Sequence, residues 1–277
     1  MSLLPDLAGP YLWLIPAGFV IGAYGTLIGA GGGFILVPFL LLLYPQENPN
    51  VITSISLAVV FFNALSGSLA YARMRRIDYG SGILFSAATI PGAVFGALTT
   101  AFIPRRLFDV ILGCLMVLAS VFLALGGGTR QRDGAPGRAR FVRTRARADG
   151  GSDTFAYDPI LGVGLSLGIG YFSSVLGIGG GVIHVPVLTG LLNFPVHIAT
   201  ATTQFTLAIM ALVGTLTHLV TGAFHRGVRR TIALTIGVLL GAQLGAWLSS
   251  RVRSDWIIRG LAVALGFLGI HVLLSAL

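Results

Sequence analysis

Two glycine-rich stretches contain the residues most suited to binding a ligand through the backbone. Gly-Ala-Gly-Gly-Gly occupies residues 29–33 and Gly-Ile-Gly-Gly-Gly occupies residues 177–181, an offset of 148 residues. A nucleotide-binding loop is rejected, because Phe34 and Val182 stand where a dinucleotide fingerprint needs glycine, and no P-loop lysine follows. Since each glycine weakens a helix by about 1 kcal/mol, both runs predict a break in a helix.

The glycine runs lie inside apolar segments that are long enough to cross a membrane. Apolar residues make up 55% of the 277 residues and charged residues only 10%, with a mean hydropathy of +0.89. A soluble domain carries about 25% charged residues, whereas about 20 apolar residues span a bilayer as a helix. The composition predicts an all-α polytopic membrane protein. The net charge of +9 does not indicate nucleic-acid binding, since the arginines border the apolar segments.

A helix break at membrane depth leaves backbone N–H groups that must be buried in protein or face a wet cavity. The helix that starts after the break carries a partial positive charge, which favours an anion. We therefore predict that the two runs bind a small anionic substrate between them. The glycines concerned are Gly29, Gly31, Gly32, Gly33, Gly177, Gly179, Gly180 and Gly181.

Polar side chains open the apolar segment that follows each glycine run. Hydroxyls at a helix start cap the helix or line a pocket as donors to an oxyanion, and both stretches offer more hydroxyls than capping needs. Intramembrane amides either join helices or face a pathway. The candidate substrate-binding side chains are Thr53, Ser54, Ser56, Asn63, Thr200, Thr202, Thr203 and Gln204.

Titratable groups are scarce within the apolar segments. His184 follows the second glycine run and is a candidate to contact substrate or a proton, although Leu36 stands at the matching position. No charged residue lies near the middle of a confident span, which argues against the buried carboxylates of cation pumps. No metal-ligand spacing or acid–base pair occurs, so we expect no metal, cofactor or enzyme activity. Cys114 is expected to be a small packing residue.

The chain consists of two halves of similar sequence. Residues 51–71 resemble residues 198–218, and Gly92 and Gly96 match Gly241 and Gly245, whose spacing suits close helix packing. The predicted divisions are a first transmembrane repeat at 1–125, an Arg-rich cytoplasmic linker at 126–158 and a second repeat at 159–277. The linker composition predicts a flexible segment.

The first apolar segment of each repeat is longer than one crossing requires. Residues 11–44 would form a helix of about 50 Å, against a hydrocarbon core of about 30 Å. This segment is a tilted helix, a broken helix or a helical hairpin, which gives eight to ten membrane segments, and a hairpin makes the repeats inverted. With eight crossings Arg230 shares the linker face, opposite Arg105, and both chain ends are cytoplasmic. Arginine counts for both arrangements place the linker in the cytoplasm.

These motifs resemble the TauE/SafE sulfite exporter family, also called the toluene sulfonate uptake permease family. The resemblance rests on "GAGGGFILVP" at 29–38 and "GIGGGVIHVP" at 177–186, each followed by a Ser/Thr-rich helix start, and it covers the chain apart from the linker. It implies a secondary transporter of sulfite, organosulfonates or related anions in the cytoplasmic membrane of a bacterium. An anion channel, or a carrier of a different small organic acid, is the alternative. Protons are one candidate coupling ion, and the sequence does not predict an oligomeric state.

Overall fold

A computed structural model describes residues 11–125, 141–146, 152–224, 227–249, 251 and 254–276. Within these residues the chain forms ten helices and one two-stranded antiparallel sheet. The first half contains α1 (Leu14–Ile28), α2 (Gly33–Leu43), α3 (Pro49–Arg73), α4 (Tyr79–Thr100) and α5 (Arg105–Ala124). The strands β1 (Phe141–Ala146) and β2 (Ser152–Tyr157) precede α6 (Pro159–Leu176), α7 (Gly181–Gly190), α8 (Val196–Val220), α9 (Val228–Ser249) and α10 (Ser254–Ala276).

Seven of the described helices are long and apolar enough to cross a membrane. Large apolar side chains such as Phe102, Val220 and Phe267 are exposed at the outside of the molecule, as expected for a surface that contacts lipid. The predicted class, an all-helical polytopic membrane protein, is confirmed apart from the short β-hairpin. Cys114 is exposed on α5. The prediction that it packs inside was wrong, because its neighbour Gly113 is the residue that faces α10, against Leu273.

The glycine runs separate α1 from α2 and α6 from α7. The helix α1 ends at Gly29 with φ 82°, and Gly32 precedes α2 with φ 79°. Gly177 and Gly180 occupy the matching positions with φ 66° and φ 71°. These left-handed conformations favour glycine because they are strained for residues with a Cβ atom.

The short helix after each break folds back alongside the helix before it. Near the break between α1 and α2, the ring centroids of Tyr24 and Phe34 are 6.4 Å apart. Far from the break, Trp13 and Phe39 are 5.9 Å apart. The helices α1 and α2 are therefore antiparallel neighbours.

The two halves interlock through glycine faces. The helix α9 packs on α1, where Gly241 and Gly245 lie against the backbone of Phe19 and Ala23. The helix α4 packs on α6 in the same way, through Gly92 and Gly96. Since side chains at these positions would collide with backbone atoms, the packing role predicted for the four glycines is confirmed.

The part of the linker that the structure describes is ordered, contrary to the expected flexible segment. The strands β1 and β2 pair from Phe141 with Tyr157 to Ala146 with Ser152. Phe155 and Tyr157 are buried, and their rings lie 4.3 Å and 5.1 Å from that of Phe194. The prediction of a flexible linker rested on its lack of large aliphatic residues and did not consider the aromatic side chains that pack on Phe194. Residues 1–10, 126–140 and 147–151 lie outside the described part.

Two arginines that the eight-crossing arrangement placed on opposite faces meet at one residue. Arg105 Nη1 donates to the backbone carbonyl of Glu47 at 3.0 Å. Arg230 Nη1 donates to the Glu47 carboxylate at 2.8 Å. The eight-crossing arrangement, one of those that the sequence left open, would separate Arg105 from Arg230 because it counts 11–44 as one crossing, whereas this segment contains two antiparallel helices.

Candidate functional site

The two glycine loops contact each other directly. We define loop 1 as residues 29–32, between α1 and α2, and loop 2 as residues 177–180, between α6 and α7. A Cβ atom on Gly33 would lie 2.6 Å from the carbonyl of Ile178, and one on Gly181 would lie 2.5 Å from Ala30 Cα. This backbone-to-backbone contact leaves no room for side chains at the two helix starts. The structure thus brings the two predicted glycine runs together.

The starts of α3 and α8 pack against the opposite loops. A Cβ atom on Gly29 would lie 2.7 Å from Thr200 Cγ2, and one on Gly177 would lie 2.9 Å from Thr53 Cα. Ser56 Oγ donates to the Gly177 carbonyl at 2.6 Å. The hydroxyl-bearing segments therefore lie beside the loops, each with the loop of the other half.

The starts of α2 and α7 both present a backbone N–H group that has no acceptor among the described residues. At α2, the N–H groups of Ile35 and Leu36 bond back to the Gly32 carbonyl, whereas those of Gly33 and Phe34 have no such acceptor. At α7, the Gly181 N–H donates to the Gly179 carbonyl at 2.8 Å, whereas that of Val182 has no such acceptor. Neither Gly32 nor Gly180 offers a capping side chain. Each of these two helix starts therefore has at least one free N–H donor and a partial positive charge.

The predicted hydroxyls divide into those already bonded and those without a partner. Thr53 and Ser54 donate to carbonyls of their own helix, and Thr202 Oγ1 accepts the backbone N–H of Asp78 at 3.0 Å. The hydroxyls of Thr200 and Thr203 are buried and have no partner in the described part of the chain. Among the predicted hydroxyls, these two are available to a ligand.

Sequence reasoning missed two serines that share this property. Ser173 and Ser174 lie in the last turn of α6. Both are fully buried, and their hydroxyls have no partner among the described residues. A Cβ atom on Gly180 would lie 2.9 Å from Ser173 Oγ. The sequence feature that could have identified these serines is their position a few residues before the second glycine run.

The predicted amides Asn63 and Gln204 meet at a residue that sequence reasoning also missed. Thr26 Oγ1 donates to Asn63 Oδ1 at 3.1 Å and accepts from Gln204 Nε2 at 3.1 Å. The Tyr71 hydroxyl donates to the Thr26 carbonyl at 2.9 Å. Thr26 could have been identified from the sequence as a polar residue just before the first glycine run.

His184 points into a different environment. Its Nε2 lies 3.3 Å from Ser166 Oγ, and its ring lies 5.8 Å from that of Phe85. Apart from the backbone bond to Gly180, none of its described contacts involves a glycine loop. Among the residues that the structure describes, no group of three or more His, Cys, Asp or Glu could hold a metal ion.

Sequence comparisons find a family and several relatives of the chain. The family described as sulfite exporter TauE/SafE matches residues 14–272. The chain is 31% identical over 218 residues to the probable membrane transporter protein YunE of Bacillus subtilis, covering 76% of this chain and 79% of that protein. It is 27% identical over 220 residues to a probable membrane transporter protein of Xylella fastidiosa (strain Temecula1), covering 79% and 77%.

A more distant relative comes from an archaeon. The probable membrane transporter protein MJ0441 of Methanocaldococcus jannaschii is 23% identical over 211 residues, covering 74% of this chain and 71% of that protein. No solved structure matches the chain. The chain is therefore a multi-pass membrane transporter and not an enzyme, and it belongs to the TauE/SafE sulfite exporter family.

Proposed function

We propose that the protein is a secondary transporter that moves a small sulfur-containing anion, sulfite or an organosulfonate, across the cytoplasmic membrane. The observation that carries this proposal is the meeting of the two glycine loops, with free N–H groups and the unpartnered hydroxyls of Thr200 and Thr203. Neutral donors and helix dipoles suit an anion. A cation would instead require buried carboxylates.

The two halves, 1–125 and 159–277, are inverted repeats joined by the linker 126–158. Each repeat begins with a helical hairpin, α1–α2 or α6–α7, which enters and leaves the membrane on one side with its glycine loop at the tip. Three crossings follow in each repeat, so that the second repeat starts on the other side. The shared contacts of Arg105 and Arg230 with Glu47 support this arrangement, as does the antiparallel packing of α1 and α2.

The arginine distribution then orients the protein. The linker face carries 12 arginines against 5 on the face of Glu47, with Arg259 set aside as lying within a span. Basic residues accumulate on the cytoplasmic side. The linker is cytoplasmic, and both ends of the chain lie on the opposite side of the membrane.

Alternating access requires two bodies that move against each other around the site. The glycine faces join α1 to α9 and α4 to α6, across the two repeats. In addition, α3 packs on α9 and α8 packs on α4. We infer that the moving bodies are α1–α3–α9 and α4–α6–α8, which meet where α3 packs on α8, rather than one repeat against the other. The anion lies between them, held by loop 1 and loop 2.

Uptake of labelled sulfite into proteoliposomes tests this proposal. Gly32→Leu and Gly180→Leu place side chains at positions with φ 79° and φ 71°, so both should distort the loops and lose transport. Membrane insertion and thermal unfolding are measured for each variant, and both variants should still insert and fold. Gly164→Leu is the matched control, because a Cβ atom there meets nothing within 4 Å. Wild-type sulfite flux through Gly32→Leu and Gly180→Leu would overturn the binding site.

The same assay separates a carrier from the alternative, an anion channel. Flux that saturates with sulfite concentration and responds to an imposed proton gradient supports a coupled carrier. Flux that stays proportional to concentration and ignores the gradient supports a channel. A panel of carboxylates in competition with sulfite tests a different organic acid as cargo.

A further inference from the structure

A polar cluster with unused hydrogen-bonding capacity lies next to the glycine loops. We define the amide cluster as Thr26, Asn63 and Gln204, which are all 0% exposed. Both amides bond to the single Thr26 hydroxyl at 3.1 Å. Asn63 Nδ2 and Gln204 Oε1 are buried and have no partner among the residues that the structure describes. A buried polar group left in this state costs about 1–3 kcal/mol.

The unused capacity does not depend on how the amide atoms are assigned. The oxygen and nitrogen of an amide are interchangeable in shape. If both amides are turned over, Asn63 donates to Thr26 and Thr26 donates to Gln204. In either orientation one carbonyl oxygen and one NH₂ group remain unbonded. In both of these orientations, which use the Thr26 hydroxyl as donor and as acceptor, the amide cluster presents one free acceptor and one free donor, and neither carries a charge.

The amide cluster lies next to loop 1. The Thr26 carbonyl accepts the N–H of Gly29 at 3.0 Å. On α8, Gln204 lies between Thr200, which packs on Gly29, and Leu207, which packs on Gly31. These three residues are spaced four and three positions apart, so they share one helix face.

The amide cluster exists in one half only. At the offsets of 147 and 148 residues, the counterparts of Gln204, Asn63 and Thr26 are Leu57, Met210 and Ser174. Gly67 packs on Gln204 and Thr26, and its counterpart Gly214 packs on Leu57 and Ser174. The same helix packing is thus achieved in the other half with apolar side chains at the positions of the two amides. Packing alone does not require the two amides.

We propose that the amide cluster is a specificity subsite that binds an uncharged hydrogen-bonding group of the cargo. This inference rests on the proposed function, in which the glycine loops bind the anionic oxygens. A cargo with acceptors only would leave the free amide carbonyl unpaired. The subsite therefore selects anions that carry an O–H or N–H donor in addition to their anionic oxygens, such as a hydroxyl-substituted sulfonate.

A matched pair of anions tests this selection. Ethanesulfonate and 2-hydroxyethanesulfonate differ by one hydroxyl, and each is measured as a competitor of labelled sulfite uptake in proteoliposomes. The wild-type protein should bind the hydroxylated anion about tenfold more tightly, because an unpaired buried acceptor costs about that factor. Equal inhibition constants would overturn the inference, as would the absence of competition from either sulfonate.

Two variants assign the preference to the amide cluster. Gln204→Met keeps the length of the side chain but removes the amide, so the tenfold preference should fall to about one while ethanesulfonate competes as before. Asn63→Leu should reduce the preference in the same direction. Leu57→Met, at the matching position of the other half, should retain it. A preference that survives in both amide variants would contradict the subsite.

The assays distinguish failure of the proposed function from failure of the subsite inference. If the wild-type protein shows no sulfite uptake, the transporter proposal fails and the subsite inference fails with it. If sulfite uptake is intact but the two sulfonates do not differ, only the subsite inference fails. The wild-type measurement alone decides this, so the test does not depend on the variants folding.

Discussion

The hydroxyl of Thr203 offers a direct test of the binding site, because its removal should separate stability from transport. This hydroxyl is buried and has no partner among the described residues. An unpaired buried hydroxyl costs about 1–3 kcal/mol. Thr203→Val replaces it with a methyl group of similar shape, so the variant should be as stable as the wild type or more stable by up to that amount.

Transport should respond in the opposite direction. A hydrogen bond to a charged group contributes about 1.5–3 kcal/mol. If the Thr203 hydroxyl donates to the bound anion, Thr203→Val should therefore raise the KM for sulfite by about tenfold or more. The variant would then combine unchanged or higher stability with weaker substrate binding.

Ser56 occupies the matching position in the first half and serves as the contrasting variant. Its hydroxyl donates to the Gly177 carbonyl at 2.6 Å. Ser56→Ala leaves that buried carbonyl without this donor, which should destabilise the protein by about 1–3 kcal/mol. The two matched positions thus predict stability changes of opposite sign.

The assay combines thermal unfolding in detergent with sulfite uptake kinetics in proteoliposomes. Thr203→Val should match or exceed the wild-type unfolding midpoint and show a raised KM, whereas Ser56→Ala should have a lower midpoint. The reasoning would be refuted if Thr203→Val unfolded at a lower temperature than the wild type and retained its KM. That result would mean that the Thr203 hydroxyl has a structural partner.

Three further predictions concern the packing of α4 on α6, the membrane topology, and the β-hairpin formed by β1 and β2. Gly96→Val should separate α4 from α6 and lower the unfolding midpoint, since a Cβ atom there would already lie 3.1 Å from Ser174 Cβ and overpacking costs about 1–3 kcal/mol. In a background that lacks Cys114, Thr221→Cys and Thr144→Cys should react with an impermeant thiol reagent from opposite sides of the membrane. Labelling of both from the same side would support the eight-crossing arrangement instead. Phe155→Ala removes the ring that lies 4.3 Å from the ring of Phe194, so trypsin should cleave the linker faster than in the wild type. An unchanged cleavage rate would contradict the idea that Phe155 holds β2 against Phe194.

Features that depend on neighbouring residues along the chain were predictable from sequence. Long apolar segments indicate membrane helices because the bilayer selects length and hydropathy. The helix ends at Gly29 and Gly177 have the same local origin, since consecutive glycines disfavour a helix and tolerate positive φ. The four-residue spacing of Gly92 and Gly96 likewise indicated a packing face.

Features that depend on residues distant in sequence required the tertiary structure. The hydroxyls of Ser56 and Thr203 occupy matching positions, yet one is bonded to a carbonyl 121 residues away and the other is unpartnered. The direction of the chain after Gly29 placed Arg105 and Arg230 together at Glu47, whereas the count of crossings left eight and ten segments open. The sequence by itself thus determined where helices form and break. Only the fold decided which polar groups remain free for a ligand, because a hydrogen bond between distant segments exists only once packing brings them together.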